Sequence, residues 1–118
     1  MDLQTDRPRY EADRAKDLDL TGTHGIDAAL KQYKLDALLF AGATGAAIAA
    51  KPGYPSVIVP FGTVPNAPAT PFPPGFNAKP APLGIAFTGT ACSEPRLIEL
   101  AYAFEHATKR RVPPAATP

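Results

Sequence analysis

Few side chains in this sequence could act as nucleophiles. The 118-residue chain holds two serines, Ser56 and Ser93, and one cysteine, Cys92. A serine needs an adjacent base for activation, and His24 or His106 would have to supply it. Neither serine lies in a Gly-x-Ser-x-Gly turn, which exposes a nucleophilic serine between a strand and a helix. We therefore interpret Ser56 as the start of a strand and Ser93 as a helix cap.

The cysteine and the histidines have simple structural interpretations. Cys92 precedes the last predicted helix, and the amino end of a helix can make a thiol reactive. We interpret Cys92 instead as a small residue in a strand-to-helix turn. His106 follows Glu105 without a second metal ligand nearby and is interpreted as a surface histidine. One cysteine cannot form an intrachain disulfide, and two histidines give no cluster with zinc-ligand spacing. We predict no metal and no cofactor.

The run Gly42-Ala-Thr-Gly45 resembles a phosphate-binding turn, since it follows a predicted strand and precedes a possible helix. It lacks the Lys-Ser/Thr pair of the Walker pattern and the third glycine of a dinucleotide fingerprint. The run is therefore a weak nucleotide site. Its small side chains still allow a ligand or a partner backbone to approach the end of the strand.

Composition excludes several classes of function. The net charge of +1 is too small for the electrostatic footprint of a nucleic-acid or anionic-membrane binder, so we expect neither partner. Hydrophobic residues make up 45% and charged residues 19%, which is typical of a small globular α/β domain. The first twenty residues are rich in charges and contain no signal-peptide core, so we expect a cytoplasmic location.

Three short apolar runs predict strands over 36–41, 56–61 and 83–89. The segment 63–82 contains seven prolines, which neither donate ladder hydrogen bonds nor continue a helix, and we expect a long extended loop there. Because a loop rather than a helix joins the second and third strands, these two should pair antiparallel.

Helical spacing of apolar residues predicts helices over 24–33 and 94–110, each with one apolar stripe to pack against the sheet. Thr21 or Thr23 would cap the first of them. We divide the chain into a polar helical segment 1–20, an α/β region 21–112 and a mobile tail 113–118.

Six runs of the α/β region follow one order and spacing over about three-quarters of the chain: Gly25-Ile-Asp27, Leu35-Asp-Ala-Leu-Leu-Phe40, Gly42-Ala-Thr-Gly-Ala-Ala47, Ala50-Lys-Pro-Gly-Tyr-Pro-Ser-Val-Ile-Val-Pro60, Gly84-Ile-Ala-Phe-Thr-Gly89 and Ser93-Glu-Pro-Arg-Leu97 through Ala101-Tyr-Ala-Phe-Glu105. These runs resemble the carboxyl-terminal part of the amidase signature family, serine hydrolases that cleave linear amides. Ala41 departs from that pattern, which usually has proline there.

The resemblance implies a small mixed three-stranded sheet with flanking helices, like the carboxyl-terminal layer of the amidase signature fold. It also implies that Gly42, Ala43, Thr44 and Gly45 line the substrate pocket. The family's lysine, cis-peptide serine and nucleophilic serine lie in a region without a match here. No catalytic residue is carried over, and we expect the isolated chain to be inactive.

Three functions remain open. The chain could be part of an amidase that hydrolyses linear carbon-nitrogen amide bonds, with a small amide as ligand. It could instead be a non-catalytic interaction module in a homo-oligomer, covering apolar surface expected around Leu38, Phe40, Val57 and Val59. A small hydrolase with an improvised nucleophile, at Ser56 or Cys92, is the third possibility.

Overall fold

A computed structural model describes residues 4–113. Its first part is a continuous helical arm: helix α1 (Arg7–Asp17), a π-helical segment (Leu18–Ile26) and helix α2 (Asp27–Tyr33). The predicted break and threonine cap before the second helix are therefore wrong. Thr21 Oγ1 instead donates to the Asp17 carbonyl at 2.6 Å, inside the helix.

A wide helical turn replaces the break. The backbone N–H of Asp27 donates to the carbonyl of Gly22, five residues earlier, as a π-helix requires. Gly25 lies so close to the Leu20 carbonyl that a Cβ on it would be 2.6 Å from that oxygen. The absence of a side chain at Gly25 thus permits the wide turn where sequence propensity predicts an interruption.

The three predicted strands are present as β1 (Leu38–Ala41), β2 (Ser56–Val64) and β3 (Ala81–Thr88). They form one sheet in the order β1-β3-β2, and both ladders are antiparallel. The antiparallel pairing of the second and third strands is confirmed, but the mixed character of the sheet is wrong. The strands β1 and β2 do run parallel to each other, yet β3 lies between them.

The proline-rich loop is shorter than predicted. Pairs between Thr63 and Pro82 and between Val64 and Ala81 extend the β2–β3 ladder, which leaves 65–80 as the loop. The ladder tolerates Pro60 because β2 is an edge strand, and the register shifts between Pro60 and Gly62.

A short helix α3 (Ala46–Ala50) lies between β1 and β2 in the chain, and helix α4 (Glu94–Thr108) follows β3. The core lies between one face of the sheet and α4. Val59 and Phe87 from the strands meet Leu97 and Ala101 from α4, and all four are buried. This confirms the apolar stripe predicted for the last helix. Five partly buried apolar residues pack against this cluster: Ala37, Val57, Ile85, Leu100 and Phe104.

The exposed apolar surface is not where we expected it. Val59 is buried, and the expected patch does not form one exposed face. The reason is that strand alternation places Val57 and Val59 under α4. On the strands and α4, the large apolar side chains that are more than half exposed are instead Leu39, Ile58, Ile98 and Tyr102.

The chain is extended for its length. Its radius of gyration is 18.7 Å, against about 13–14 Å for a compact domain of this length. Its solvent-accessible surface is 8977 Å², against about 6,100 Å² for a compact monomer of this mass.

None of the helices in the described part of the chain is long and apolar enough to cross a membrane. Of the tail predicted over 113–118, residues 114–118 lie outside the described residues.

Candidate functional site

The loop 42–45 leaves the carboxyl end of β1 and lies against β3. Gly42 has a φ of +59°, a conformation that favours glycine, and its N–H donates to the Gly84 carbonyl at 2.8 Å. Thr44 Oγ1 donates to the Ala41 carbonyl at 2.9 Å. The ring of Phe40 occupies the space that a side chain on Gly45 would need. The turn is therefore specified by both glycines, and Thr44 is exposed on its outside.

A groove lies beside this loop, at the same end of the sheet. Gly42 is hydrogen-bonded to Gly84 and lies near Leu83, whose Cδ1 would be 3.8 Å from a Cβ built on Gly42, and Leu83 and Gly84 both line the groove. Its volume is about 800 Å³. The loop that the resemblance places at a substrate pocket thus borders the concave surface of this end of the sheet.

Apolar side chains from the two long strands form most of the groove, and two arginines that follow α4 complete it. The Arg110 guanidinium lies over the ring of Phe61, 4.5 Å from its centroid, and donates to the Phe61 carbonyl at 3.3 Å. A cation over an aromatic face is held by the ring quadrupole. Arg110 is therefore positioned before any ligand arrives, and Arg111 is its neighbour in the lining.

A polar cluster occupies the opposite end of the sheet, where β2 begins and β3 has ended. The Asp27 carboxylate accepts hydrogen bonds from the Tyr54 hydroxyl and from Thr90 Oγ1, both at 2.6 Å. The hydrogen bond that the Tyr54 hydroxyl donates to Asp27 raises the pKa of Tyr54, and burial of the hydroxyl adds a smaller contribution. Asp27 thereby joins the helical arm to both loops that flank the strands.

The two serines are hydrogen-bonded in this same region. Ser56 Oγ is 2.7 Å from Thr88 Oγ1, across a pair of opposite residues on β2 and β3. Ser93 Oγ donates to the Thr90 carbonyl at 2.7 Å. The predicted side-chain cap at Ser93 is therefore wrong, because its hydroxyl closes the preceding loop and bonds to no helical N–H. Packing of Ser93 against Gly89, which leaves no room for a Cβ, favours this rotamer.

The remaining candidates do not assemble into a catalytic group. Cys92 is exposed with a φ of +59°. His24 Nδ1 lies 2.8 Å from Asp19 Oδ1, and the His106 ring stacks on Tyr102 at 5.9 Å. Within residues 4–113, no hydrogen bond joins a histidine or a lysine to a serine or to the cysteine, and no group of side chains has metal-binding geometry.

The Asp27 cluster could not be assigned from the sequence. In the sequence, Asp27 and Tyr54 belong to two of the runs that resemble the amidase signature family, and nothing else singles them out. A carboxylate and a phenol 27 positions apart give no local signal for a hydrogen bond. Pairing of Ser56 with Thr88 brings the flanking loops together and lets one carboxylate reach both.

Comparison with known proteins gives a consistent result. No family model matches the chain. A probable amidase of Arabidopsis thaliana is 38% identical over 91 residues, which cover 77% of this chain and 15% of that protein. A putative amidase of Arthroderma benhamiae is 34% identical over 106 residues, covering 88% and 18%. The chain thus spans less than a fifth of these curated relatives.

Solved structures agree in fold and in sequence. The crystal structure of PAM12A superposes with a TM-score of 0.76 at 35% identity, covering 94% of this chain and 23% of that one. The peptide amidase PAM in complex with the competitive inhibitor chymostatin gives 0.74 at 36%, covering 91% and 22%. Native peptide amidase from Stenotrophomonas maltophilia gives 0.72 at 37%, covering 93% and 22%. Agreement in sequence, in fold and in the extent of the match leads to one conclusion: the chain is similar to one part of amidases and peptide amidases of the amidase signature family.

Proposed function

We propose that this chain forms the carboxyl-terminal α/β layer of an amidase fold and has no hydrolytic activity by itself. In the complete fold, the loop formed by Gly42, Ala43, Thr44 and Gly45 lines the substrate cavity. The substrates of that fold are linear amides. Peptide amides are the first choice, because two of the similar structures are peptide amidases.

The extended shape supports a role as one layer of a larger fold. The accessible surface exceeds that of a compact monomer by nearly half. Large apolar side chains such as Leu39 on β1 and Tyr102 on α4 are more than half exposed. Exposed large apolar side chains mark surface that another protein segment covers.

The geometry of the hydroxyl groups carries the proposed inactivity. A serine attacks an amide only when a positioned base takes its proton. The Ser56 hydroxyl is paired with a threonine, and the Ser93 hydroxyl is bonded to a backbone carbonyl. The Lys51 ammonium, which could otherwise serve as a base when neutral, forms an ion pair with Asp17 at 2.6 Å.

The test is an amidase assay on the chain alone and after mixing with a truncated relative. The isolated chain should release no ammonia from a peptide amide above the buffer control. The Stenotrophomonas peptide amidase, lacking the region that aligns here, should regain activity when the chain is added. A Ser56→Ala, Ser93→Ala double variant should restore it equally well, because the reacting groups belong to the partner.

Two results would contradict the proposal. Cleavage by the isolated chain that disappears in Ser56→Ala or Cys92→Ala would establish the improvised hydrolase instead. Failure of both the native chain and the double variant to restore activity, with native circular dichroism, would argue against the layer role.

The exposed apolar residues also favour a second candidate, a non-catalytic module that associates with its own copies. Leu39, Ile98 and Tyr102 are each more than half exposed, and a two-fold dimer is the commonest way to cover such residues. Light scattering should then give a dimer mass at micromolar concentration. A monomer mass together with restored activity in the mixing experiment would exclude the self-associating module and support the role as a layer of an amidase fold.

A further inference from the structure

We propose that the groove beside the loop 42–45 is a binding site for a small apolar carboxylate. The site is formed by the β2–β3 strands and by the segment that follows α4. The inference does not depend on the proposed function, since it concerns binding and requires no amide turnover.

The walls of the groove are suited to an apolar group. Its volume of about 800 Å³ falls within the range of about 300–1,000 Å³ that is typical of small-molecule sites. Six apolar residues supply most of the lining: Ile58, Val59, Pro60, Pro82, Leu83 and Val112. Ile58 is 56% exposed there, so a ligand that covers it gains hydrophobic stabilisation.

The charges of the groove specify the polar end of the ligand. Arg110 and Arg111 both line it, and no Asp or Glu is among the lining residues. Within residues 4–113, neither arginine forms an ion pair with a carboxylate. A guanidinium binds a carboxylate through two parallel N–H···O bonds, an arrangement that an alcohol cannot reproduce.

The Phe61 ring adds preorganisation. It holds the Arg110 guanidinium 4.5 Å from its centroid, so less side-chain freedom is lost when a ligand binds. Arg111 follows directly in the chain and supplies the second cation of the lining. An apolar body on the strand side with a carboxylate at the arginines satisfies both parts of the groove.

The experiment is a calorimetric titration of the whole chain with two probes of the same shape, 4-phenylbutyrate and 4-phenylbutanol. The carboxylate should bind with a Kd below about 1 mM, and the alcohol about tenfold more weakly. Arg111→Gln should weaken 4-phenylbutyrate about tenfold and leave the alcohol unchanged. Ile58→Ser should weaken both probes.

Matched variants outside the groove control for net charge and exposed apolar surface. Arg9→Gln removes the same charge from helix α1, and Ile98→Ser removes an isoleucine of similar exposure, 59%, from α4. Both should bind as the native chain does. Equal affinity for acid and alcohol, equal losses in Arg9→Gln and Arg111→Gln, or no binding would overturn the proposal. Binding of an acidic apolar peptide without binding of 4-phenylbutyrate would also overturn it, in favour of a protein partner.

Discussion

Replacement of Leu97 by alanine tests the central packing of the molecule, because this side chain is 0% exposed between α4 and the sheet. It belongs to the buried cluster with Val59, Phe87 and Ala101. Its neighbour in sequence, Ile98, is 59% exposed on the same helix and provides a matched control. The two substitutions change helix propensity in the same direction and differ mainly in burial.

The expected magnitude follows from the groups removed. Leucine to alanine deletes about three methylene equivalents at about 0.8 kcal/mol each, and the cavity left behind adds to this loss. Fully buried leucines therefore cost about 2–5 kcal/mol. The half-buried neighbours Val57, Leu100 and Phe104 can partly collapse into the space, so we expect about 3 kcal/mol for Leu97→Ala. Ile98→Ala should stay within about 0.5 kcal/mol of the native chain.

Urea unfolding followed by far-ultraviolet circular dichroism gives both free energies, at one protein concentration so that any self-association contributes equally. A loss below about 1 kcal/mol for Leu97→Ala would refute the assignment of the core. So would equal losses in the two variants, because burial would then have no influence on stability.

Three further outcomes are expected. Phe104→Ala should cost about 2–3 kcal/mol in the same urea assay, less than a fully buried phenylalanine, because the ring is half-buried between two other phenylalanine rings. Gly45→Ala should lower stability by about 1–3 kcal/mol in thermal unfolding, because the new Cβ displaces the Phe40 ring. The raised pKa of Tyr54 stabilises the fold fully below about pH 10, and that stabilisation is lost as the pH rises through the folded-state pKa. Tyr54→Phe should therefore lose less stability than the native chain as the pH rises above about 10, measured as urea midpoints.

Each of these has an outcome that would contradict it. A Phe104→Ala loss near 0.5 kcal/mol would mean that the ring faces solvent, since about 0.5 kcal/mol is the usual range of surface substitutions. Unchanged unfolding of Gly45→Ala would show that the loop 42–45 can relax away from β1. Parallel alkaline profiles for the native chain and Tyr54→Phe would remove the hydrogen bond to Asp27 as the cause of the pKa shift.

The amino-acid sequence by itself determined the strands, the last helix and the similarity to amidases. Short β-branched runs such as 56–60 and the helical spacing of Leu97, Ala101 and Phe104 reflect burial of one face, which is a local property of the chain. The order of the matched runs likewise requires no structure to be recognised. The connection between β2 and β3 was enough to predict their relative direction. Parallel neighbours usually need a crossover helix, and the sequence places a loop without a helix between these two strands.

The tertiary structure decided the contacts that connect distant parts of the chain. Sequence propensity predicts a helix break at Thr21 and a cap at Ser93, but in the structure these hydroxyls donate to the Asp17 and Thr90 carbonyls. A local pattern does not report which of several hydrogen-bond acceptors a hydroxyl reaches. The same holds for Asp27, whose partners lie 27 and 63 residues away. It holds as well for the groove, whose strands and arginines become neighbours only when α4 packs on the sheet and directs the chain back across β2.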